Sequence, residues 1–395
     1  MRKTVVVTDG EQRAALAVVR SLGVAGWKAI VVASDARPLA GGSRYAAREI
    51  QAPSPLQAPA EFARVIADIV AEEQAILLLP ITEPSLLSLL PVRSTFAPAC
   101  IPFPDAERFR LISDKALLLE TASSIGIAVP TQLTLADRGK LDELREELRF
   151  PLVLKPARSI GESHGRRERL SVRHAADIVE LRESIRAFSD AAFPLLLQQR
   201  VIGPGVGIFL LTWDGETYAQ FAHRRLREKP PAGGVSVYRE SIDANPELVA
   251  KSAALLTRFG WHGPAMIEYK IDAITGRPFL MEVNGRFWGS LQLAIDAGVD
   301  FPVLLAQLTL GERPAPVLTY RVGVRSRWWW GDVDQLLLRL RRSRAALALP
   351  ADSPSRGQAL LEFLALHRPG DRGEVFRWRD PRPGLRETLA WLQGK

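Results

Sequence analysis

The first hundred residues alternate short apolar runs with segments in which apolar residues recur at helical spacing. Strands are predicted for the runs TVVVTD, KAIVVAS and AILLLPI, and helices for EQRAALAVVRSLGVAGW and AEFARVIADIVAEEQ. Strands that alternate with helices in this way are typical of a parallel sheet covered by helices. The amino-terminal part of the chain is therefore predicted to be an α/β unit.

The middle of the chain predicts a second, mixed region. Strands are predicted for FPLVLKPA, FPLLLQQRV, MIEYKID and FLMEVN, a hairpin turn for WDGE, and helices for FRLISDKALLLETASSIGI and NPELVAKSAALLTRFG, the last capped by Asn245. The pattern divides the chain into an α/β domain at 1–111, linker helices and a small lid at 112–194, an antiparallel-sheet unit at 195–318 and a Trp- and Arg-rich extension at 319–395.

The composition limits the classes of protein to which the chain can belong. The 395 residues are 47% hydrophobic and 24% charged, which suits a globular protein with more than one core. The longest apolar runs fall short of the ~18 residues that a membrane-spanning helix needs. The single cysteine excludes an internal disulfide, as in a reducing compartment. We therefore expect a cytoplasmic protein without a transmembrane segment.

The net charge of +8 suits anionic ligands, but no nucleic-acid-binding motif accompanies it, and no nucleic acid is expected as a partner. The chain lacks the G-x-G-x-x-G and G-x-x-x-x-G-K-[ST] motifs, which disfavours a dinucleotide dehydrogenase and a P-loop nucleotidase. In the extension, RSRWWWGDVDQLLLRLRRSRAALAL predicts an amphipathic basic helix. Packing onto the main domain and peripheral membrane contact are both consistent with it.

The chemistry is concentrated in the stretch LMEVNGRFWGS. Glu282, Asn284 and Arg286 occupy every second position, so a strand would place all three on one face. Glu268 lies in the preceding predicted strand, and the turn-rich AITGRP segment joins the two.

A hairpin centred near Thr275 places Glu268 directly opposite Glu282, and Asp272 opposite Pro278. Two carboxylates that face each other repel, and a divalent cation between them removes the conflict. Oxygen ligands of this kind suit Mg²⁺, with Mn²⁺ as an alternative, and Asn284 adds a neutral oxygen. Arg286 supplies a fixed positive charge of the kind that phosphoryl transfer uses.

The order of these motifs resembles that of the ATP-grasp superfamily, whose E-x-N-x-R element is present as Glu282, Asn284 and Arg286. The resemblance extends from the amino terminus to about residue 318 and is closest to the carbamoyl-phosphate-synthase-like, carboxylate-amine ligase branch. It implies an ATP-grasp fold, with a Rossmann-like parallel-sheet domain, a small lid and an antiparallel-sheet domain that hold the nucleotide between them.

The same resemblance assigns roles to individual residues. It implies that Lys155 and Arg286 act in catalysis and that Glu268, Glu282 and Asn284 bind the metal. The residues that the resemblance implies for ATP are Lys115, Lys155, Gly161, His164, Gln198, Gln199 and Val201. Gly205 stands where many relatives have a glutamate for the ribose, so GTP stays open beside ATP.

Contacts to the substrates are expected from two other places. Thr82 and Glu83 follow a strand of the parallel sheet, at the edge where ligands gather. A basic, glycine-containing segment is the expected site for substrate anions, with the candidate residues His223, Arg224, Arg225, Gly233, Gly234 and Ser236.

The resemblance implies an ATP-dependent ligase that activates a small carboxylate as an acylphosphate and couples it to an amine or another nucleophile, releasing ADP and phosphate. The alternatives are carboxylation with bicarbonate as the activated acid, and a nucleotide-binding regulatory protein without turnover. A homodimer is the general expectation for a chain of this type.

Overall fold

The amino-terminal region folds as the predicted alternation of strands and helices. The computed structural model describes residues 3–163, 166–231, 233–347, 349, 353–365 and 371–394. Its first elements are β1 (Thr4–Val7), α1 (Arg13–Val24), β2 (Lys28–Ala33), β3 (Ala46–Gln51), α2 (Pro59–Glu72), β4 (Leu77–Leu79) and α3 (Glu83–Leu89). The strands pair in parallel in the order β3-β2-β1-β4. The hydrophobic pattern does not predict β3, because this edge strand is mostly exposed.

The connection to the next sheet is two helices where the pattern predicts one. They are α4 (Ala106–Ser113) and α5 (Lys115–Ser124). Asp114 separates them because its backbone is extended and its side chain accepts hydrogen bonds from the amides of Ala116 and Leu117. The break places Lys115 at the first position of α5.

A small antiparallel sheet with its own hydrophobic core follows. Its region contains β5 (Gln132–Leu135), β6 (Leu152–Pro156), β7 (Ile160–Ser163), β8 (Arg166–Arg169), β9 (Arg173–Ala175), α6 (Ile178–Arg186) and β10 (Leu195–Gln199). The sheet order is β5-β10-β6-β9, and β7 and β8 form a separate hairpin. The core of this region is distinct from the two larger cores that fill the rest of the protein.

The central sheet carries the E-x-N-x-R motif. Its region contains β11 (Gly205–Trp213), β12 (Glu216–Lys229), β13 (Val235–Ser241), α7 (Pro246–Arg258), β14 (Gly263–Ile271), β15 (Pro278–Asn284), α8 (Leu291–Ala297) and α9 (Phe301–Thr309). The WDGE turn and the Asn245 cap are as predicted: Trp213 pairs with Glu216, and the Asn245 side chain accepts from the amides of Glu247 and Leu248. The predicted mixed fold, with a parallel sheet and antiparallel sheets, is confirmed.

The carboxy-terminal extension is built into this sheet. It contributes β16 (Arg325–Arg327), α10 (Trp329–Arg341), α11 (Arg356–Leu364), β17 (Asp371–Gly373) and α12 (Arg382–Leu392). The sheet order is β15-β14-β11-β12-β13-β16-β17, so strands that follow residue 318 continue the sheet that precedes it. The division of the chain at residues 111, 194 and 318 stays a prediction.

Aromatic and charged residues of the extension contact the amino-terminal region of the chain. Asp380 accepts from Arg20 of α1 at 2.8 Å and from the Ser43 hydroxyl at 2.8 Å. The Arg13 guanidinium lies 3.9 Å from the centre of the Trp328 ring, and within the extension Trp330 stacks on Trp391, with 4.0 Å between the ring centres. The tryptophan-rich segment therefore packs onto the rest of the protein, and peripheral membrane contact stays a prediction.

Within the described residues, no single helix is long and apolar enough to cross a bilayer. The helices α8 and α9 pass that test only when taken together across a bend of 91°. Most of their residues are buried in the core, which explains their apolar composition.

A buried carboxylate joins the extension to both α1 and the central sheet. Glu374 is 2% exposed and forms ion pairs with Arg13, at 2.5 Å, and with the fully buried Arg239. Burial alone would raise the pKa of Glu374, but the two arginines lower it below its ordinary value. The ion pairs therefore keep the carboxylate charged inside the protein.

We expect Glu374→Ala to lower the free energy of unfolding by about 3–5 kcal/mol, because it leaves two buried arginines without this partner. Urea denaturation measures the change. Glu312→Ala is the matched control, since Glu312 is exposed and its pair with Lys3 is at 3.4 Å. A loss no larger than that of the control would contradict the structural importance of the buried pairs.

Candidate active site

The strands β14 and β15 bring the two predicted carboxylates face to face. Glu268 pairs directly with Glu282 in the ladder, as the sequence predicts. The expected pairing of Asp272 with Pro278 is wrong, because the register shifts between Glu268 and Tyr269 and Ile271 takes the place opposite Pro278. Asp272 instead accepts hydrogen bonds within the turn.

Neighbouring groups compensate the charge of the carboxylate pair. Arg225 forms an ion pair with Glu268, and it also pairs with Glu228 at 2.8 Å. The Asn284 amide nitrogen donates to Glu268 at 3.3 Å and to Glu282 at 3.1 Å. Arg225, which the sequence places among the substrate contacts, thus lies in an ion pair with an expected metal ligand.

Two glycines in β11 allow Arg225 to reach across that strand. Gly207 pairs with Glu268 on one side and with His223 on the other. A Cβ at Gly205 would lie 2.9 Å from Cδ of Arg225, so a larger residue would displace the arginine. The glycine at the expected ribose position is therefore required by the Arg225–Glu268 contact.

The carboxyl groups of the pair differ in their pKa. Burial and the charge of Glu282 raise the pKa of Glu268, in spite of Arg225. Burial also acts to raise the pKa of Glu282, but Lys115 and Lys155 outweigh it and lower that pKa. Glu282 is therefore the member of the pair that holds its negative charge more firmly.

Both predicted lysines converge on Glu282 from separate elements. Lys155 is on β6, and Lys115 begins α5 and donates to the Ser159 hydroxyl at 2.8 Å. Burial lowers the pKa of Lys155 from its ordinary value to about 8, although the charge of Glu282 opposes the shift. Bound phosphate would supply the additional negative charge that such a buried ammonium group favours.

A cavity of about 450 Å³ lies between the small sheet and the central sheet. The predicted site residues that line it are Lys155, Gln198, Gln199, Val201, His223, Arg225, Gly233, Gly234, Ser236, Glu268, Glu282, Asn284 and Arg286. At the end of β10, protein contacts already use some of the polar groups. The Gln198 side chain donates to the Gln132 side chain at 2.7 Å, and the backbone amide of Gln199 donates to the Thr131 carbonyl. Gln198 is thus partly occupied by a protein contact.

The remaining predicted residues lie elsewhere. Arg224 is on the opposite face of β12 from His223 and Arg225, where it pairs with Glu240 at 2.6 Å. Gly161 lies in β7, and a Cβ there would be 2.9 Å from Ala191, so close packing explains this glycine. His164 lies outside the described residues.

A second cavity, of about 310 Å³, adjoins the first on the side of the parallel sheet. Thr82 and Glu83 line it, as expected, but the Thr82 hydroxyl donates to Asp9 at 2.7 Å. Burial raises the pKa of Glu83, which weakens its negative charge in spite of Arg286. Lys115 and Glu83 line a narrower cleft beside the carboxylates.

Several lining residues escape the sequence analysis. Arg13, Glu228, Lys270 and Trp288 all line the larger cavity. Lys270 lies two positions after Glu268 on the same strand, so alternation was a usable signal for it. Arg13 follows the carboxyl end of β1, where the rule for parallel sheets could have indicated it.

The donor set fits a magnesium ion bound together with a nucleotide. In the part of the chain that the structure describes, no group of three or more His, Cys, Asp or Glu side chains is placed to hold a metal. Two carboxylates and one amide oxygen are a small protein contribution, which suits an ion that keeps waters and binds phosphate oxygens. Asn284 would have to turn its amide over to present oxygen to the ion.

The comparisons with known proteins agree with this geometry. Residues 192–329 match the sequence model of a family described as ATP-grasp in the biosynthetic pathway with Ter operon. Comparison with curated protein sequences gives no match.

Solved structures match over most of the chain. An L-amino acid ligase from Bacillus licheniformis has 18% identity and a TM-score of 0.62, covering 78% of this chain and 74% of that one. A biotin carboxylase from Campylobacter jejuni has 16% identity and a TM-score of 0.64, covering 82% and 74%. An ADP complex of N5-carboxyaminoimidazole synthetase from Staphylococcus aureus has 14% identity and a TM-score of 0.63, covering 82% of each chain.

The sheets and these matches define the fold of the chain, which is the ATP-grasp fold that the sequence motifs predict. Residues 192–329 match the family model described above.

The buried Lys155 predicts a pH dependence of nucleotide binding. Below a pKa of about 8 the amine is charged and favours phosphate, and above it the charge is lost. We expect the dissociation constant of a non-hydrolysable ATP analogue with Mg²⁺ to rise as the pH is raised through about 8, measured by calorimetry. Lys155→Arg keeps a permanent charge, so its affinity should not fall over this range. An equal pH dependence in both proteins would show that Lys155 is not responsible.

The small donor set predicts that metal binding depends on the nucleotide. We expect Mn²⁺ alone to bind weakly, and at least about tenfold more tightly when ADP is present, because phosphate oxygens complete its coordination. Electron paramagnetic resonance of free Mn²⁺ measures both affinities. Tight Mn²⁺ binding without nucleotide would contradict this interpretation of the site.

Proposed function

We propose that the protein is an ATP-dependent ligase that activates a small carboxylate as an acylphosphate and couples it to an amine or another nucleophile. The observation that supports this most strongly is the facing pair Glu268 and Glu282, joined by Asn284, beside the buried Lys115 and the partly buried Lys155. These groups line cavities of a chain with the ATP-grasp fold.

The residues take distinct roles in this proposal. Lys115 and Lys155 bind nucleotide phosphates, and the strand end that carries Gln199 and Val201 borders the base. Glu268, Glu282 and Asn284 would hold Mg²⁺, which supplies positive charge against the phosphates. Nucleotide binding then requires Arg225 to share Glu268 with the metal ion, because the two compete for one carboxylate.

Arg286 is the candidate for stabilising the transferring group. Its guanidinium lines both the 450 Å³ and the 310 Å³ cavities, and it donates to the Asn284 side-chain oxygen at 2.9 Å. A cation at that junction faces the negative charge that develops on a phosphoryl group during transfer. This position supports the catalytic role that the motif implies.

The proposed chemistry needs no protein nucleophile. A carboxylate oxygen of the substrate attacks the γ-phosphorus of ATP, and the bond from that phosphorus to the β,γ-bridging oxygen breaks, giving an acylphosphate and ADP. The amine nitrogen then attacks the acyl carbon, phosphate leaves, and the nitrogen loses a proton. The contribution of the protein is to orient the reactants and offset their charge.

The structural relatives support the coarse class and leave two alternatives. One relative is an L-amino acid ligase, and others are a biotin carboxylase and an N5-carboxyaminoimidazole synthetase, so carboxylation with bicarbonate is the second candidate. The Arg225–Glu268 ion pair favours the third candidate, a nucleotide-binding regulatory protein, because it occupies an expected metal ligand. ATP is proposed as the nucleotide, with GTP as the alternative.

The proposed partners are small molecules, a carboxylate and an amine. One structural relative is described as a biotin carboxylase domain dimer, which makes a homodimer a reasonable assembly to test for this chain.

The test is ATP consumption by the purified protein with Mg²⁺ and pooled carboxylates and amines, with and without bicarbonate. ADP must be resolved from AMP, and the mixture searched by mass spectrometry. ADP with a condensed product would support the ligase, whereas ADP formed only with bicarbonate would favour carboxylation. AMP would contradict the acylphosphate route, and nucleotide binding without turnover would favour the regulatory alternative.

We expect Glu282→Gln to abolish Mg²⁺-dependent ADP release, since it removes the more firmly charged ligand of the pair. The variant keeps the size of the side chain, so its thermal unfolding should stay close to that of the original protein. Glu247→Gln is the matched control, because Glu247 is exposed on α7 and pairs only with Lys251 among the described residues. Undiminished ADP release by Glu282→Gln would remove the central claim of the proposal.

A further inference from the structure

The two cavities meet at an arginine that comes from the parallel-sheet region. Arg13, the first residue of α1, lines both the 450 Å³ and the 310 Å³ cavity. The other residues that line both are Glu282, Asn284, Arg286 and Gly289, which all belong to β15 and the loop after it. Arg13 therefore faces the E-x-N-x-R motif across the junction.

Residues from the extension hold this arginine in place. Its Nη1 donates to Glu374 at 2.5 Å, and its guanidinium lies 3.9 Å from the centre of the Trp328 ring. On the side of the active site, a Cβ placed on Gly289 would lie 3.1 Å from Nη2 of Arg13. The guanidinium is thus fixed between the extension and the loop after β15, with part of it at the cavity wall.

The smaller cavity has the character of an anion site. Arg13, Arg169 and Arg286 line it together with Gln12 and the first turn of α1. In the described structure no side chain caps that turn, and no acidic residue lies in it. The carboxylates that line the cavity are Glu282, on the side of the E-x-N-x-R motif, and Glu83. Burial raises the pKa of Glu83 on the opposite wall and reduces its negative charge.

Two buried polar side chains that line the larger cavity with Arg13 also lack a protein partner. Within the described residues, the indole nitrogen of Trp288 and both ring nitrogens of His223 make no hydrogen bond, although each side chain is only 1% exposed. Both rings pack on Phe209, with ring centres 4.4 Å and 4.7 Å away, and both residues line the larger cavity. Buried polar groups of this kind normally find a partner, so these nitrogens are available to a bound ligand or to ordered water.

We propose that Arg13 binds the carboxylate of the substrate that is activated, in the space between Arg13 and Arg286. The inference rests on the proposed ligase function and names the substrate site within it. The smaller cavity, of about 310 Å³, then receives the rest of a compact carboxylate the size of an amino acid or a dipeptide. The extension serves the reaction by positioning Arg13, although it lies outside the matched residues 192–329 for nearly all of its length.

The test is the binding of defined carboxylates to the protein saturated with MgADP. Acetate, succinate, L-alanine and L-glutamate are titrated separately by calorimetry. We expect at least one of them to bind the original protein, and Arg13→Gln to raise its dissociation constant at least about tenfold, equal to about 1.4 kcal/mol. This variant removes the charge at position 13 and leaves Glu374 its second partner, Arg239.

Three controls separate a substrate contact from a structural effect. Arg13→Lys restores the positive charge and should recover part of the carboxylate affinity. Arg64→Gln removes an exposed arginine of α2 and should bind as the original protein does. MgADP affinity should be unchanged in Arg13→Gln, whereas its thermal unfolding should shift to lower temperature, because Glu374 loses one of its two arginine partners.

The outcomes distinguish this inference from the proposed function. Failure of the protein to bind MgADP would overturn the proposed function itself. Normal MgADP binding with no carboxylate bound, or with equal carboxylate affinity in Arg13→Gln and the original protein, would overturn the role of Arg13 alone. Loss of MgADP affinity in Arg13→Gln would instead assign Arg13 to the nucleotide and equally overturn the inference.

Discussion

The repulsion between two carboxylates that face each other on neighbouring strands is the constraint on which the site depends. Glu268 and Glu282 are paired in the ladder and partly buried at the cavity wall, so their charge must be offset from elsewhere. The protein does this with cations from three separate regions: Lys115 from α5, Lys155 from the small sheet and Arg225 from β12. Electrostatic attraction to the carboxylate pair therefore connects the helical linker, the small sheet and the central sheet.

This compensation also describes the resting state of the proposed enzyme. Arg225 and the Asn284 amide nitrogen contact the carboxylates to which we assign the metal ion, so they already offset part of the negative charge. In the proposed function, a metal ion that binds together with a nucleotide would bring positive and negative charge at once, so it would replace Arg225 with little uncompensated charge in the site. An isolated ion has no such compensation.

What the sequence predicts well depends on local pattern. The facing of Glu268 and Glu282 follows from alternation and the turn between them, and the ATP-grasp fold follows from the order of the motifs. The break between α4 and α5 is local too, because it depends on Asp114, a residue type that commonly caps helices. Such features need only neighbours in the chain.

The contacts that escape prediction join residues that are distant in sequence. Arg225 reaches Glu268 because Gly205 and Gly207 have no side chains that would block the space above β11, the strand between them. One sequence does not show the order of strands in a sheet, so this contact could not be predicted. Arg13 is an ordinary helix residue until Glu374 and Trp328 are placed beside it. The pattern of hydrophobic and polar residues within one segment does not show which other segments it will contact in the fold.

The return of the extension to α1 has a consequence for how the chain acquires its structure during synthesis. Arg20 and Asp380 are separated by 360 positions, and Arg13 and Glu374 by 361. While the ribosome is still translating the central sheet, the helix α1 carries arginines whose carboxylate partners do not yet exist. These contacts of α1 can form only after Glu374 and Asp380 have been synthesised, so the packing of the helix is completed late although the helix itself is made early.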